Sequence, residues 1–135
     1  MKKFEVVKKM PSIEDYLNIR KHTLGEKTRA SAKLAIDNSW FGVHITIKDK
    51  TIGMGRMIGD GCTFHITDVT VLPQHQGLGF EGVIMEALVN YYRKNAPKDG
   101  CLTVIAKGEA KNLYKKFNFE ETAPKSVGMK YNNML

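Results

Sequence analysis

The sequence predicts an α/β fold with a mixed, mostly antiparallel central sheet and flanking helices, and three observations carry that prediction. Residues 40–72 hold three period-two apolar segments separated by turn residues, the pattern of an antiparallel meander. Residues 69–106 then run strand, glycine loop, helical stripe and strand, and a crossover of that kind makes its two strands parallel. Two helical patterns, the first of them capped, precede the meander. A chain of 135 residues is expected to form one domain over residues 1–135. At that size roughly two thirds of the unfolded surface is buried, enough for a sizeable core.

Phe4 to Lys8 is a short strand, stopped by Pro11. Ser12, with Asp15 three residues on, caps a helix reaching about His22, with Ile13, Tyr16, Leu17 and Arg20 at helical spacing. A second helix is expected over Thr28 to Ile36. Trp40 to Lys48 places Phe41, Val43, Ile45 and Ile47 on one face, and Asp49-Lys50 turns the chain into a strand over Thr51 to Ile58. Gly53, Gly55 and Gly59 are unusual inside a strand and point to bulges or to a close approach by ligand. Thr63 to Leu72 completes the meander. Its alternation puts Phe64, Ile66 and Asp68 on one face and His65, Thr67, Val69 and Val71 on the other, so a carboxylate shares a face with apolar groups. Val83, Ile84, Leu88 and Tyr91 form the stripe of a helix over about Leu78 to Lys94. The strand Leu102 to Ala106, a helix from Ala110 to about Phe117 and a last strand from Val127 to Tyr131 complete the order.

Twenty-one Lys and Arg against fourteen Asp and Glu give a net charge of +7, which serves solubility and suits an anionic partner. No basic run is interleaved with aromatics, so a nucleic-acid partner is not indicated. The N-terminal MKKFEVVKKMPS carries neither a signal-peptide core nor a membrane span, and the expectation is a cytoplasmic protein without a membrane partner. Cys62 and Cys101 lack CxxC spacing and the four histidines are scattered, so the reading is two buried thiols, no disulfide framework and no metal.

The stretch Val69 to Ala87, VTVLPQHQGLGFEGVIMEA, runs strand, glycine loop and helix, and those elements in that order make an anion site. The first N–H groups of a helix lack intrahelical partners and sit at the positive end of its dipole. A P-loop would need Lys and Ser or Thr after its last glycine, and none follows here. Gly77, Gly79 and Gly82 spell GxGxxG, yet the next strand ends in Lys107 instead of a ribose-binding acid, and too little chain remains for a doubly wound sheet. Gln74 to Gly79, QHQGLG, resembles the acetyl-CoA loop of the GNAT N-acetyltransferases. Asn112-Leu113-Tyr114-Lys115-Lys116-Phe117-Asn118-Phe119 resembles that family's LYxxxGF segment, with Asn118 where the family has Gly. Gly53 to Gly61, together with Asp68, is similar to a small bacterial amine-acetyltransferase branch. Asn118 suits the left-handed conformation of a helix stop, so that departure keeps the geometry.

The resemblance covers nearly the whole chain and implies a GNAT fold in which the two parallel strands splay, with acetyl-CoA as the acetyl donor. Its pantetheine arm would pair with backbone at Val69 and Val71, and its pyrophosphate would lie on Gln74, Gln76, Gly77, Leu78, Gly79 and Phe80. Asn112 and Tyr114 are further cofactor-binding positions by the same resemblance, and Lys107, Lys111, Lys115 and Lys116 lie where phosphates could be met. Lys107 stands where the family often has Asn, which removes that side chain's usual contact. Tyr114 falls at the position of the thiol-directed general acid. Asp68 is the first choice of base, on the condition that burial raises its pKa. His65 is the alternative, and Asp60 is assigned to a turn. Trp40, Arg56 and Leu24 are candidates for the acceptor pocket, with Tyr16 on the same wall, and packing is the alternative role for Trp40, Leu24 and Tyr16. The function so read is direct acetyl transfer to the primary amine of a small molecule, with a homodimer as a family habit. The alternatives are a non-catalytic acyl-CoA sensor and a protein N-acetyltransferase, the latter at odds with a basic chain.

Overall fold

Three hydrogen-bonded residues, β1 (Glu5–Val7), begin a five-stranded sheet that continues through β2 (Phe41–Ile47), β3 (Lys50–Gly59), β4 (Thr63–Val71) and β5 (Cys101–Val104), in that spatial order. The computed structural model describes residues 3–134. β1 to β4 pair antiparallel and β4 pairs with β5 parallel, the arrangement that the meander and the crossover predict. The helices are α1 (Ile13–Thr23), α2 (Arg29–Asp37), α3 (Phe80–Asn95) and α4 (Ala110–Lys115). The expected cap is present, the Ser12 hydroxyl accepting from Asp15 N–H at 3.2 Å, and the structure adds a second, the Thr28 hydroxyl accepting from Ser31 N–H at 3.1 Å. The β2–β3 turn sits one residue earlier than its sequence suggests. Lys48 and Asp49 both take positive φ, +50° and +66°, which is the backbone a tight two-residue hairpin demands.

The chain divides after Val104 into two compact units. In the first, α3 covers one face of the sheet and α1 with α2 the other. Val43 and Ile45 stand opposite Gly55 and Gly53 on the α3 face. A Cβ at Gly55 would lie 2.6 Å from Ile84 Cγ2 and 3.1 Å from Leu88 Cδ1, so the strand glycine is there to let α3 approach, and the approach is not a ligand's. On the other face, buried Tyr16, Ile19, Ala32 and Met54 pack together, with Met10, Ile13, Leu17 and Leu72 around them. Burying each such side chain is worth about 1.5–3 kcal/mol, and two covered faces explain why β2 is buried almost along its length.

One irregularity of β4 decides where the chemistry can sit. Met54 pairs with Thr70 and Arg56 with Thr67, so Gly55 alone on β3 faces both Asp68 and Val69 on β4, a β-bulge. Asp68 takes φ +57°. The extra residue breaks the expected alternation: Phe64 stays on the α3 face against Tyr92, while the Asp68 side chain reaches Tyr16 and Arg20 of α1. The expectation that Asp68 shares a face with Phe64 is therefore corrected.

The second unit holds α4, and three residues past its end Asn118 takes the left-handed conformation, φ +71°, with Asn118 N–H donating to the Lys115 carbonyl. No strand forms over residues 127–131. Val127, Met129 and Tyr131 are 75%, 89% and 76% exposed, and period-two apolarity makes no strand without a ladder partner. Cys62 and Cys101 are also exposed instead of buried, because one follows Gly61 in the β3–β4 turn and the other opens β5 at the end of the sheet.

Candidate active site

Asp68 is held at three points. The Tyr16 hydroxyl donates to Oδ2 at 2.6 Å, Arg56 Nε donates to the same oxygen at 2.7 Å, and Arg20 Nη1 donates to Oδ1 at 2.7 Å. Arg20 Nε also donates to the Gly25 carbonyl at 3.1 Å and Arg56 Nη1 to the Ala35 carbonyl at 3.3 Å, so the bulge is tied to the α1–α2 loop and to α2. Burial works against the charge on Asp68. The hydrogen bonds from Tyr16 and Arg56 and the charges of both arginines outweigh it, and the carboxyl is held below its ordinary value. The sequence argument for a base needs the opposite direction. A carboxylate with its proton affinity lowered and its lone pairs engaged is a weak base, and that assignment of Asp68 is corrected. Tyr16 moves the other way: burial, then its bond to Asp68, raises its pKa and keeps the phenol neutral.

These groups line a cavity of about 290 Å³ together with Lys27, Ser31, Ala35 and Thr67. Arg56 and Tyr16, which the sequence reading places at an acceptor pocket and its wall, both line this cavity. Arg20, Lys27, Ser31 and Thr67 belong to the same cavity without having been singled out. A signal for Arg20 exists in its place on the apolar stripe of α1, since a cation facing a core implies a buried anion. Trp40 does not reach this cavity. Its ring lies 4.4 Å from Phe64 and 5.1 Å from Tyr91, on the α3 side. Leu24 is 39% exposed after α1 and does not line the cavity either. His65 is bonded through Nδ1 to Thr103 at 2.9 Å, and Asp60 accepts from Cys62 and Thr63 N–H at 2.8 Å, shaping its turn. A wider hollow of about 610 Å³ lies at the starts of α1 and α2, where Arg29 and Lys33 are exposed.

The parallel ladder runs only from Thr63–Cys101 to Ile66–Val104. Beyond Ile66, β4 has β3 on one side and, among the described residues, no strand on the other, which is the splay the resemblance implies. After Val71 a 3-10 turn (Pro73–His75) leads to Gly77 at φ +75° and Gly79 at φ +92°. Gly79 is the N-cap of α3 and brings no side chain to its first turn, and a Cβ at Gly77 or Gly79 would meet nothing within 4 Å. The first helical bond is Val83 N–H to the Gly79 carbonyl, so the N–H groups of residues 79–82 precede it. An open, uncapped helix start with left-handed glycines fits a pyrophosphate. Two side chains in the expected set have other work. Gln76 Nε2 donates to the Val71 carbonyl at 2.9 Å, fastening loop to strand, and Phe80 is 1% exposed against Phe4 and His75. The Phe80 side chain therefore belongs to the core, and only its backbone lies at the helix start. Gln74 and Leu78 are exposed on the loop, and Val69 packs toward Gly55.

Within the second unit, Tyr114 lies on α4 with its ring 6.2 Å from that of Phe119. Asn112 Nδ2 donates to Glu109 at 2.6 Å. Lys115 and Lys111 meet Glu121 at 3.0 and 3.9 Å, and Lys115 chiefly lowers the Glu121 pKa. Part of the lysine charge expected near phosphates is thereby matched internally. Among the described residues no helix is long and apolar enough to cross a membrane, and no group of His, Cys, Asp and Glu has the makings of a metal site.

Residues 20–132 match the family model of the acetyltransferase (GNAT) domain. The chain belongs to the GNAT acetyltransferase family, whose members use acetyl-CoA. It is similar in structure to a protein described as a probable acetyltransferase from meticillin-resistant Staphylococcus aureus, at 36% identity over 96% of this chain and 99% of that one, with a TM-score of 0.89. It shares its fold with a protein from Clostridium acetobutylicum described as a predicted acetyltransferase and solved with acetyl-CoA, at 16% identity, coverage of 98% and 97%, and a TM-score of 0.70. The same holds for the ribosomal-protein-S18-alanine N-acetyltransferase of Escherichia coli, at 12% identity, coverage of 90% and 80%, and a TM-score of 0.75. No curated protein matches the chain significantly.

Proposed function

We propose that the chain is a single-domain N-acetyltransferase that moves an acetyl group from acetyl-CoA directly to the primary amine of a small molecule. The observation that carries the reading is the cavity at the β4 bulge. At about 290 Å³ it lies just below the roughly 300–1,000 Å³ usual for ligand sites, which favours an acceptor of amino-acid size over a protein segment or an aminoglycoside.

Acetyl-CoA, when bound, supplies an acetyl group activated as a thioester. The N–H groups of residues 79–82 and the backbone of Gly77 and Leu78 are proposed to hold its pyrophosphate, with Gln74 beside them, and the free edge of β4 at Val69 and Val71 to hold its pantetheine arm. A backbone N–H at Val69 to Val71 is the proposed donor to the thioester oxygen. Tyr114 Oη, assigned on its sequence motif, carries the proton that a departing thiolate requires. Asp68 acts as a positioning residue that fixes Arg20 and Arg56. The surplus positive charge of the cavity favours the neutral form of an incoming amine, so that no dedicated base is required.

A thiol-release screen with acetyl-CoA across amino acids, arylalkylamines, polyamines and aminoglycosides tests the reading. Turnover with a small amine, and a product heavier by one acetyl group, is the expected result. Tight acetyl-CoA binding with no turnover on any amine would replace the enzyme by an acyl-CoA sensor.

A further inference from the structure

We infer that the acceptor carries an anionic group, a carboxylate or a phosphate, seated among Arg20, Arg56 and Lys27. This rests on the reading that the cavity at the β4 bulge takes the acceptor. The charge count of the lining decides the sign: Arg20, Lys27 and Arg56 contribute three positive charges and Asp68 one negative, a surplus of two. The one carboxylate is already spent, since Arg20, Arg56 and the Tyr16 hydroxyl all donate to it at 2.6–2.7 Å. It offers nothing to a second ammonium group, so a diamine would bring a positive charge to a cavity without a free acid.

The geometry also supplies donors. Each guanidinium has five N–H groups, and Arg20 is seen to use two of its nitrogens and Arg56 two of its own, which orients both groups without using every donor. Arg20 and Arg56 side chains are 12% and 14% exposed, so their charges act across a weakly solvated space, and bonds of this kind to carboxylate or phosphate are charge-assisted. Lys27 and the Ser31 hydroxyl stand at the more exposed part of the same lining. The acceptor so inferred carries its anion and its reacting amine as separate groups of one small molecule.

The test uses acceptor pairs that differ only in the anion: β-alanine with β-alaninamide, and phosphoethanolamine with ethanolamine, beside the diamine putrescine. Thiol release is measured for the full chain and for Lys27→Glu, whose exposed position leaves the fold intact by thermal melting. We expect kcat/KM for the anionic member to exceed its neutral partner by at least about tenfold, the size of one charge-assisted hydrogen bond, and Lys27→Glu to remove most of that preference. The leading pair tells carboxylate from phosphate. Neutral or dicationic amines that react as well as the anionic ones, or a preference untouched by Lys27→Glu, would overturn the inference. If no amine turns over, acetyl transfer falls while the anion site is still decided by calorimetry with CoA present: tighter binding of phosphoethanolamine or β-alanine than of its neutral partner, lost in Lys27→Glu, upholds it, and equal binding refutes it.

Discussion

Replacing Asp68 by Asn is the most informative single perturbation, because it changes charge with almost no change of shape. Asn tolerates the left-handed backbone that Asp68 adopts at φ +57°, so no new strain enters. What is lost is the counter-charge of two arginines. The Asp68 side chain is 7% exposed and those of Arg20 and Arg56 are 12% and 14% exposed, so these are buried pairs and not surface ones. Removing one partner of a buried pair typically costs about 3–5 kcal/mol, and the Asn amide would in addition set N–H against a guanidinium donor. Water in the adjoining cavity offsets part of this, so a loss near 3 kcal/mol is the working figure. For a chain of this length that is a fall in Tm of roughly 10 °C.

The pH dependence gives the sharper test. The folded pKa of Asp68 is lowered, so its contribution is fully present above the unfolded value of about 3.9 and disappears as pH falls through the folded value. The melting gap between the parent chain and Asp68→Asn should therefore be widest near neutrality and close in acid, measured by circular dichroism from pH 7 downwards. Tyr16→Phe removes one hydrogen bond to the same oxygen and should cost about 1 kcal/mol. A gap at neutral pH worth less than about 1 kcal/mol, or one constant across the titration, would refute the account of Asp68 as a paired carboxylate.

Two further predictions address the donor side. Gly79→Asp should weaken acetyl-CoA binding more than about tenfold in calorimetry, since a side chain at φ +92° is strained and its charge would stand at the helix start proposed for pyrophosphate; unchanged affinity in a folded variant would remove that assignment. Tyr114→Phe should leave acetyl-CoA affinity nearly unchanged while turnover falls by about 10²- to 10⁴-fold, and a full-rate variant would return Tyr114 to a packing role.

Much of this architecture is legible in the sequence because local signals agree. Ser12 caps where its spacing says, Asn118 takes the left-handed stop, and Gly77 and Gly79 break strand from helix. What escapes is what depends on one strand's relation to another. Alternation through Phe64, Ile66 and Asp68 reads as continuous, and only the facing strand shows that two residues of β4 oppose Gly55 alone. Trp40 is ambiguous for a similar reason: an aromatic beside a strand suits a pocket or packing, and the half-buried ring lies against those of Phe64 and Tyr91 on the α3 side. The exposure of Cys62 and Cys101 follows from their place at the sheet's end, which composition does not record.

The bulge links the two halves of the proposed reaction in a single stretch of β4. Up to Ile66 the strand is held on both sides, by β3 and β5. At Asp68 the inserted residue swings a carboxylate to the α1 and α2 face, where it gathers Arg20 and Arg56 into a cationic cavity. Over the same residues the strand has lost β5, so backbone is left for an extended arm, and Gln76 ties the glycine loop to the carbonyl of Val71 at the strand's end. A left-handed aspartate inside a strand costs on the order of 1–3 kcal/mol. Three short hydrogen bonds to its side chain are of the size needed to offset that, which makes the strained residue and the electrostatic cluster one structural device.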